Sequence, residues 1–268
     1  MIARVLWATL RRDLLEAATY KTWALSRLVG LLGLLFSAWF VARTFAGHEP
    51  LALASRGGYF GFLVVGVLVS DLAWAAFAGP ADRVRQAQLA GTLEAELSSP
   101  VPVALWLAAQ ALFPLLGALL RGLLGAFLAL GLAGQWPAPA QLPAIGAALA
   151  LSVAALLPIG LVGGATTLLL KRSDPLGRGL HAASMLLAGV AYPVDVLPEP
   201  LQRAAALLPT TYALDALRGA LLGGASLTAL FPTLAVLAGF AAIGMALGVP
   251  AMRALDRAAR RRGTLVQY

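Results

Sequence analysis

Apolar runs of about bilayer length recur along the chain, at residues 25–45, 58–80, 103–134, 142–170, 176–194 and 227–250. A water-soluble core of 268 residues has no use for so much uninterrupted apolar surface. In lipid every backbone N–H and C=O must be paired within the protein, and runs of roughly 20 residues do this as helices, not as barrel strands. The expected fold is therefore an all-α integral membrane protein with six transmembrane helices in a single domain. Only 12% of the residues are charged, which leaves little for a separate polar domain.

The intervals between the runs carry the information. Residues 1–21 place Arg4, Arg11, Arg12, Asp13 and Glu16 on one side of a helical wheel and Leu6, Trp7, Leu10, Leu14 and Ala17 on the other, which predicts an interfacial helix. Two acids and a late apolar run argue against a signal peptide. Residues 81–102 form the longest polar interval. Leu89, Leu93 and Leu97 at i, i+4 and i+8 predict a short amphipathic helix there; Pro100 and Pro102 end it, and Ser99-Pro100 reads equally well as the cap and first position of the next helix. Residues 199–222 are apolar but interrupted, with Pro193, Pro198, Pro200 and Pro209 close by, and predict a re-entrant hairpin hinged at Pro209.

Charge sets the expected topology. With six crossings and the N-terminus inside, only Arg43, Arg56, Arg203 and Arg218 of the twenty lysines and arginines fall outside, and Arg121 lies within the membrane. Both termini are then cytoplasmic. If 201–222 crossed completely, the tail bearing Arg253, Arg257, Arg260, Arg261 and Arg262 would be external. The tryptophans are expected as belts, with Trp7, Trp23, Trp74 and Trp106 at the inner boundary and Trp39 and Trp136 at the outer.

Asp71 and Arg121 are the charges deepest in apolar sequence, and such residues are functional candidates. Measured along the helices, Asp71 lies about 14 Å beyond Pro80 and Arg121 about 28 Å beyond Pro102. A direct pair requires the first two turns of the third span to stand outside the lipid; a wetted cavity, a subunit interface or plain packing are the other readings. Three Gly-x-x-x-Gly pairs, Gly57/Gly61, Gly160/Gly164 and Gly244/Gly248, allow helices to approach closely, within the chain or across a dimer.

The net charge of +8 comes from arginines spread over the flanks of apolar runs, a pattern for membrane surfaces and not for nucleic acid. There is no cysteine and there are two histidines, so thiolate metal sites are excluded and a nucleophile–base pair has little to work with. The only lysines, Lys21 and Lys171, follow Tyr20 and Leu170, so no P-loop is present. No metal site, cofactor site or catalytic residue is expected on this chain.

The stretch Gly91-Thr92-Leu93-Glu94-Ala95-Glu96-Leu97-Ser98-Ser99-Pro100-Val101 resembles the segment after the second span of ABC-2-type transporter permeases. Gly189, Tyr192-Pro193, Leu197-Pro198, Leu201-Gln202, Leu208-Pro209, Tyr212, Arg218 and Gly223 resemble the same family's signature before its last span. The resemblance implies the permease subunit of a bacterial ATP-driven exporter in the inner membrane, two copies of it (or one and a related permease) joined to two copies of a separate ATPase that binds ATP and Mg²⁺. It also implies that Gly91, Thr92, Leu93, Glu94, Glu96 and Leu97 couple to that ATPase, and that Tyr192, Pro193, Pro198, Pro209, Tyr212 and Arg218 belong to an external re-entrant gate. The cargo implied is amphipathic or lipid-like. Glu96 departs from the family pattern, which has an apolar residue there, and Asp71 is also unusual. A proton-coupled secondary carrier using Asp71 and Arg121 is the competing expectation, and a membrane enzyme a third that lacks a polar catalytic cluster.

Overall fold

A computed structural model describes residues 2–19, 21–44, 58–98, 100–133, 136–170 and 175–261, and among these the chain is all-helical. The loop expected at 46–57, with Arg56 and Gly57, lies outside the described residues, as do Ser99, Lys171, Arg172 and Arg262. The helices are α1 (Ile2–Thr19), α2 (Lys21–Thr44), α3 (Gly58–Phe77), α4 (Gly79–Leu89), α5 (Leu93–Leu97), α6 (Val103–Ala133), α7 (Leu142–Leu170), α8 (Pro175–Leu187), α9 (Glu199–Ala205), α10 (Pro209–Leu221) and α11 (Phe231–Arg261).

Among the described residues four stretches are long and apolar enough to cross a membrane: Gly58–Phe77, Val103–Gly131, Pro139–Leu168 and Phe231–Ala254. In α2 the apolar part is Val29–Thr44. The 13 residues of α8 rise only about 20 Å, short of the ~30 Å hydrocarbon layer. The chain leaves α8 through Gly189, whose φ of +84° is open to glycine at little cost, and passes into irregular backbone.

Helices α3 and α7 form the centre. They cross where Gly160 faces the end of α3, so closely that a Cβ there would fall 1.8 Å from the Ala76 carbonyl oxygen. Gly244 and Gly248 seat α11 on Pro158 of α7, and Gly61 faces Leu222, so these glycines serve packing within the chain. One apolar core joins α3, α7, α10 and α11 around Leu214, Leu217 and Leu237; a second joins α4, α5, α6 and α7 around Val84, Leu93 and Leu107. The last helix continues through Pro250 into the basic tail as far as Arg261, and Met252 packs into that second core.

Local geometry departs from the sequence pattern in several places. Helix α4 stops at Leu89, and the chain turns through Gly91 (φ +68°) before α5 begins. Leu89 is consequently 73% exposed while Leu93 is buried, so the expected i, i+4, i+8 stripe does not share one face. Helix α6 starts at Val103, directly after Pro102, and of the two readings of Ser99-Pro100 the one that opens the next helix there does not hold. Helix α1 turns Leu6, Leu10, Asp13 and Ala17 toward the protein and leaves Trp7 and Leu14 outward, which puts an acid on the inward stripe. Trp106 is buried against α4 and α5 instead of standing in a belt.

Candidate functional site

The α4–α5 elbow is a rigid knob. Its inner side is apolar, through Leu93, with Leu97 packed against the same core. Its polar fastener is Glu96, which accepts hydrogen bonds from the Trp106 indole N–H (3.0 Å), Gln110 Nε2 (3.0 Å) and Arg12 Nη1 (3.1 Å). Arg12 also donates to Gln110 Oε1 (3.0 Å) and to its neighbour Asp13 (3.1 Å). One carboxylate thus ties α1, α5 and α6 together. Burial alone would lower the Arg12 pKa, but the adjacent Asp13 and Glu96 charges outweigh it and hold the guanidinium above its ordinary value. The outer side of the elbow, Leu89, Ala90, Gly91, Thr92, Glu94 and Ala95, is exposed.

Behind the elbow, Asp13 has no exposed side-chain surface and is ion-paired to Arg83 of α4 as well as to Arg12. Arg83 also reaches Glu16 at 3.9 Å. Asp82 pairs with Arg178 of α8 at 2.8 Å. Farther along, Arg121 of α6 meets Asp71 of α3 in a two-pronged ion pair (2.9 and 3.1 Å). The first turns of α6 are meanwhile engaged with Glu96 through Trp106 and Gln110, and Arg121 sits level with Asp71 and not a helical stretch beyond it.

At the opposite end, the segment 188–222 folds back on the bundle. Val194–Val196 makes a single 3₁₀ turn, α9 and α10 follow, and the extended Leu208 joins these two at Pro209. Arg218 is the pin: Nη1 donates to the Gly189 carbonyl (2.8 Å), Nη2 to the carbonyls of Val190 (3.0 Å) and Phe62 (3.1 Å), and the guanidinium lies 3.4 Å from the Phe62 ring centroid. The irregular backbone that cannot pair with itself is satisfied by one buried cation. Gly66 lets α3 pass beneath it, since a Cβ there would stand 2.1 Å from the Val190 oxygen. Tyr212 donates to the Ala206 carbonyl (3.1 Å), Tyr192 to that of Leu186, and Thr210 bonds Ser184 (2.9 Å), so the hairpin is locked to α8.

The described residues form a bundle of apolar helices with a fastened polar elbow after one long span and a pinned hairpin broken at Pro209 before the last, and comparison with known families says where such a chain belongs. The ABC-2 type transporter profile matches residues 4–222, from α1 through the hairpin. The chain belongs to the ABC-2 type transporter family. A search of characterised proteins returns no match. This ABC-2 protein is thus the membrane component of an ABC transporter, and the family implies partnership with an ABC ATPase subunit.

Of the elbow residues singled out in this ABC-2 permease, Gly91, Thr92 and Glu94 are exposed, whereas Leu93 is buried and Glu96 and Leu97 are partly buried. In the hairpin, Pro193 and Pro198 cap the 3₁₀ turn and α9. Arg218, counted among the external charges on the sequence, is 5% exposed. The residues missed by sequence reasoning are Arg12, Asp13, Arg83, Trp106 and Gln110. The available signal was Asp13, which falls on the Leu6–Leu10–Ala17 stripe as easily as on the charged side.

Proposed function

We propose that this ABC-2 permease is the transmembrane subunit of an ATP-driven exporter in a bacterial inner membrane, with both termini cytoplasmic and six crossings, the fifth at 176–194, followed by an external re-entrant hairpin at 199–222. Two copies, or one and a related permease, form the path for an amphipathic cargo, and ATP and Mg²⁺ are held by two separate ATPase subunits. The reading rests on the elbow. A short helix exposed on one side and bound to three others through Glu96 and Leu93 is suited to receive a push and pass it to α1, α6 and α7. In this reading the work it performs is mechanical. Gly91, Thr92 and Glu94 then face the ATPase groove, while Leu93, Glu96 and Leu97 anchor the knob. The hairpin, pinned by Arg218 and hinged at Pro209, closes the external exit.

The test is co-isolation of the full chain from its native membrane in mild detergent. An ATPase subunit is expected in the eluate, retained in Arg203→Cys and cross-linked to Glu94→Cys. An eluate without nucleotide hydrolase, together with unchanged transport after removal of residues 93–97, overturns the proposal.

A further inference from the structure

A cavity of about 420 Å³ lies between α1, the α3–α4 junction and α6. Glu16 of α1 with Asp82 and Gln86 of α4 form one end of its wall, and Trp74 of α3 with Gly117 and Arg121 of α6 form the other. From Gln86 back to Trp74 the chain covers about 18 Å at helical rise, comparable with half of a ~30 Å hydrocarbon layer.

The two ends have different surroundings. Gln86 is exposed and Glu16 keeps more than half of its side chain exposed, so the outer end is open. The inner end lies within the apolar stretches Gly58–Phe77 and Val103–Gly131, and there Arg121 pairs with Asp71, one turn from Trp74.

That pair is not sealed off by protein. Asp71 keeps 34% of its side chain exposed and Arg121 18%. The bonds to Asp71 use Nε and Nη2 of Arg121, whereas Nη1 stands beside Gly117, where a Cβ would lie 3.2 Å from it. A glycine there leaves the cavity open as far as the guanidinium. Hydrocarbon offers exposed charged atoms no hydrogen bond, and charged side chains at membrane depth stand against protein or a water-filled space. The volume has room for roughly a dozen waters at ~30 Å³ each, and the carboxylates of Glu16 and Asp82 and the Gln86 amide offer them partners at the outer end.

We propose that this cavity is a water-filled vestibule joining the cytoplasmic side to the Asp71–Arg121 pair, which admits small polar groups to the middle of the membrane from that side alone. The ion pair closes its inner end. Beyond the pair only about 8 Å of α3 separates Asp71 from Gly66, on which the backbone leading into the hairpin rests. Within the export reading, on which the cytoplasmic opening rests, the apolar barrier met by the polar part of a cargo shrinks to that layer.

Cysteine labelling of the full chain in inside-out vesicles tests it. Gly117→Cys and Gln86→Cys should both react with a small trimethylammonium methanethiosulfonate. Ile243→Cys, 60% exposed in the middle of the last span, should react on the order of a hundredfold more slowly, because a thiol against hydrocarbon does not ionise. The same reagent carried on a polyethylene glycol of several kilodaltons should reach Gln86→Cys and not Gly117→Cys. In intact cells neither position should react. Trp74→Cys, on α3 at the inner end, repeats the measurement where Gly117→Cys disturbs Arg121. Reaction of both inner cysteines no faster than Ile243→Cys overturns the vestibule. Reaction of Gln86→Cys and Gly117→Cys only from outside overturns its cytoplasmic opening and the topology of the export reading together, whereas an ATPase missing from the eluate removes the export reading and leaves the labelling pattern as it is.

Discussion

Arg121 holds Asp71 through two parallel hydrogen bonds, Nε to Oδ2 at 2.9 Å and Nη2 to Oδ1 at 3.1 Å, joining α6 to α3 in the middle of apolar helices. A guanidinium spends its planar fork on one carboxylate here, a geometry that fixes register between two helices. Asp71→Asn leaves Arg121 charged and without its counter-ion, and should lower stability by roughly 2 kcal/mol, the buried-pair value discounted because Asp71 is partly exposed. Thermal unfolding in detergent reads this, and Asp71→Asn/Arg121→Gln should recover part of the loss. The same variant separates ATP-driven export from a proton-coupled carrier: transport in Asp71→Asn should still require ATP, and an ATP-independent transport driven by the proton gradient in the parent protein alone would favour the carrier.

Glu96 makes an unusual prediction because the apolar residue that the family pattern places there should harm this chain. In Glu96→Leu the Trp106 N–H, Gln110 Nε2 and Arg12 Nη1 lose their common acceptor, and roughly 2 kcal/mol of stability should go with it. A double-mutant cycle with Arg12→Ala should show coupling of about 1 kcal/mol or more. If both substitutions simply add, α1 is not fastened through this carboxylate. ATP hydrolysis in the assembled transporter should meanwhile become less dependent on transport, since the elbow would move without carrying α1 and α6.

The apolar runs made α3, α6, α7 and α11 legible, and the prolines made the break between α9 and α10 at Pro209 legible, because both signals are local. The burial of Asp13 was not. A helical wheel sorts residues by their preference for water or lipid, and Asp13 is inside only because Arg83, seventy residues later, arrives to meet it. Arg218 misled for the same reason: charge counting treats every arginine as solvated, and this one is buried and donates to carbonyls of a loop and of α3. At Leu89, Leu93 and Leu97 the spacing was helical, but the left-handed turn at Gly91 breaks the periodicity between the first and the second. Asp71 and Arg121 were visible as candidates, and their meeting depended on where α6 enters the bundle.

Gly66 and Arg218 should fail in different ways although they serve one contact. Gly66→Ala drives a methyl group to within 2.1 Å of the Val190 oxygen, backbone that cannot step aside, and should displace the hairpin or cost about 3 kcal/mol. Arg218→Lys keeps the charge and loses the fork that reaches three carbonyls, so a smaller loss of about 1–2 kcal/mol is expected. Limited proteolysis between α8 and α10 reports both. Protection equal to the parent protein in Gly66→Ala would mean that α3 does not run beneath Val190.

The chain contains no cysteine, so single cysteines report sidedness without background. Glu94 stands on the exposed side of the elbow, and Arg203 projects from α9 with 79% of its side chain exposed, paired with Glu199 one turn earlier. Glu94→Cys should react with a membrane-impermeant maleimide only after the cells are opened, and Arg203→Cys in intact cells. The two positions test different links: the first places the elbow on the side where an ATPase resides, and the second requires that the segment containing α9 and α10 returns to the face it entered. Modification of Arg203→Cys solely in opened cells would make the hairpin a cytoplasmic structure, and the six-crossing arrangement would have to be abandoned because the arginine-rich end of α11 could then no longer share a side with α1.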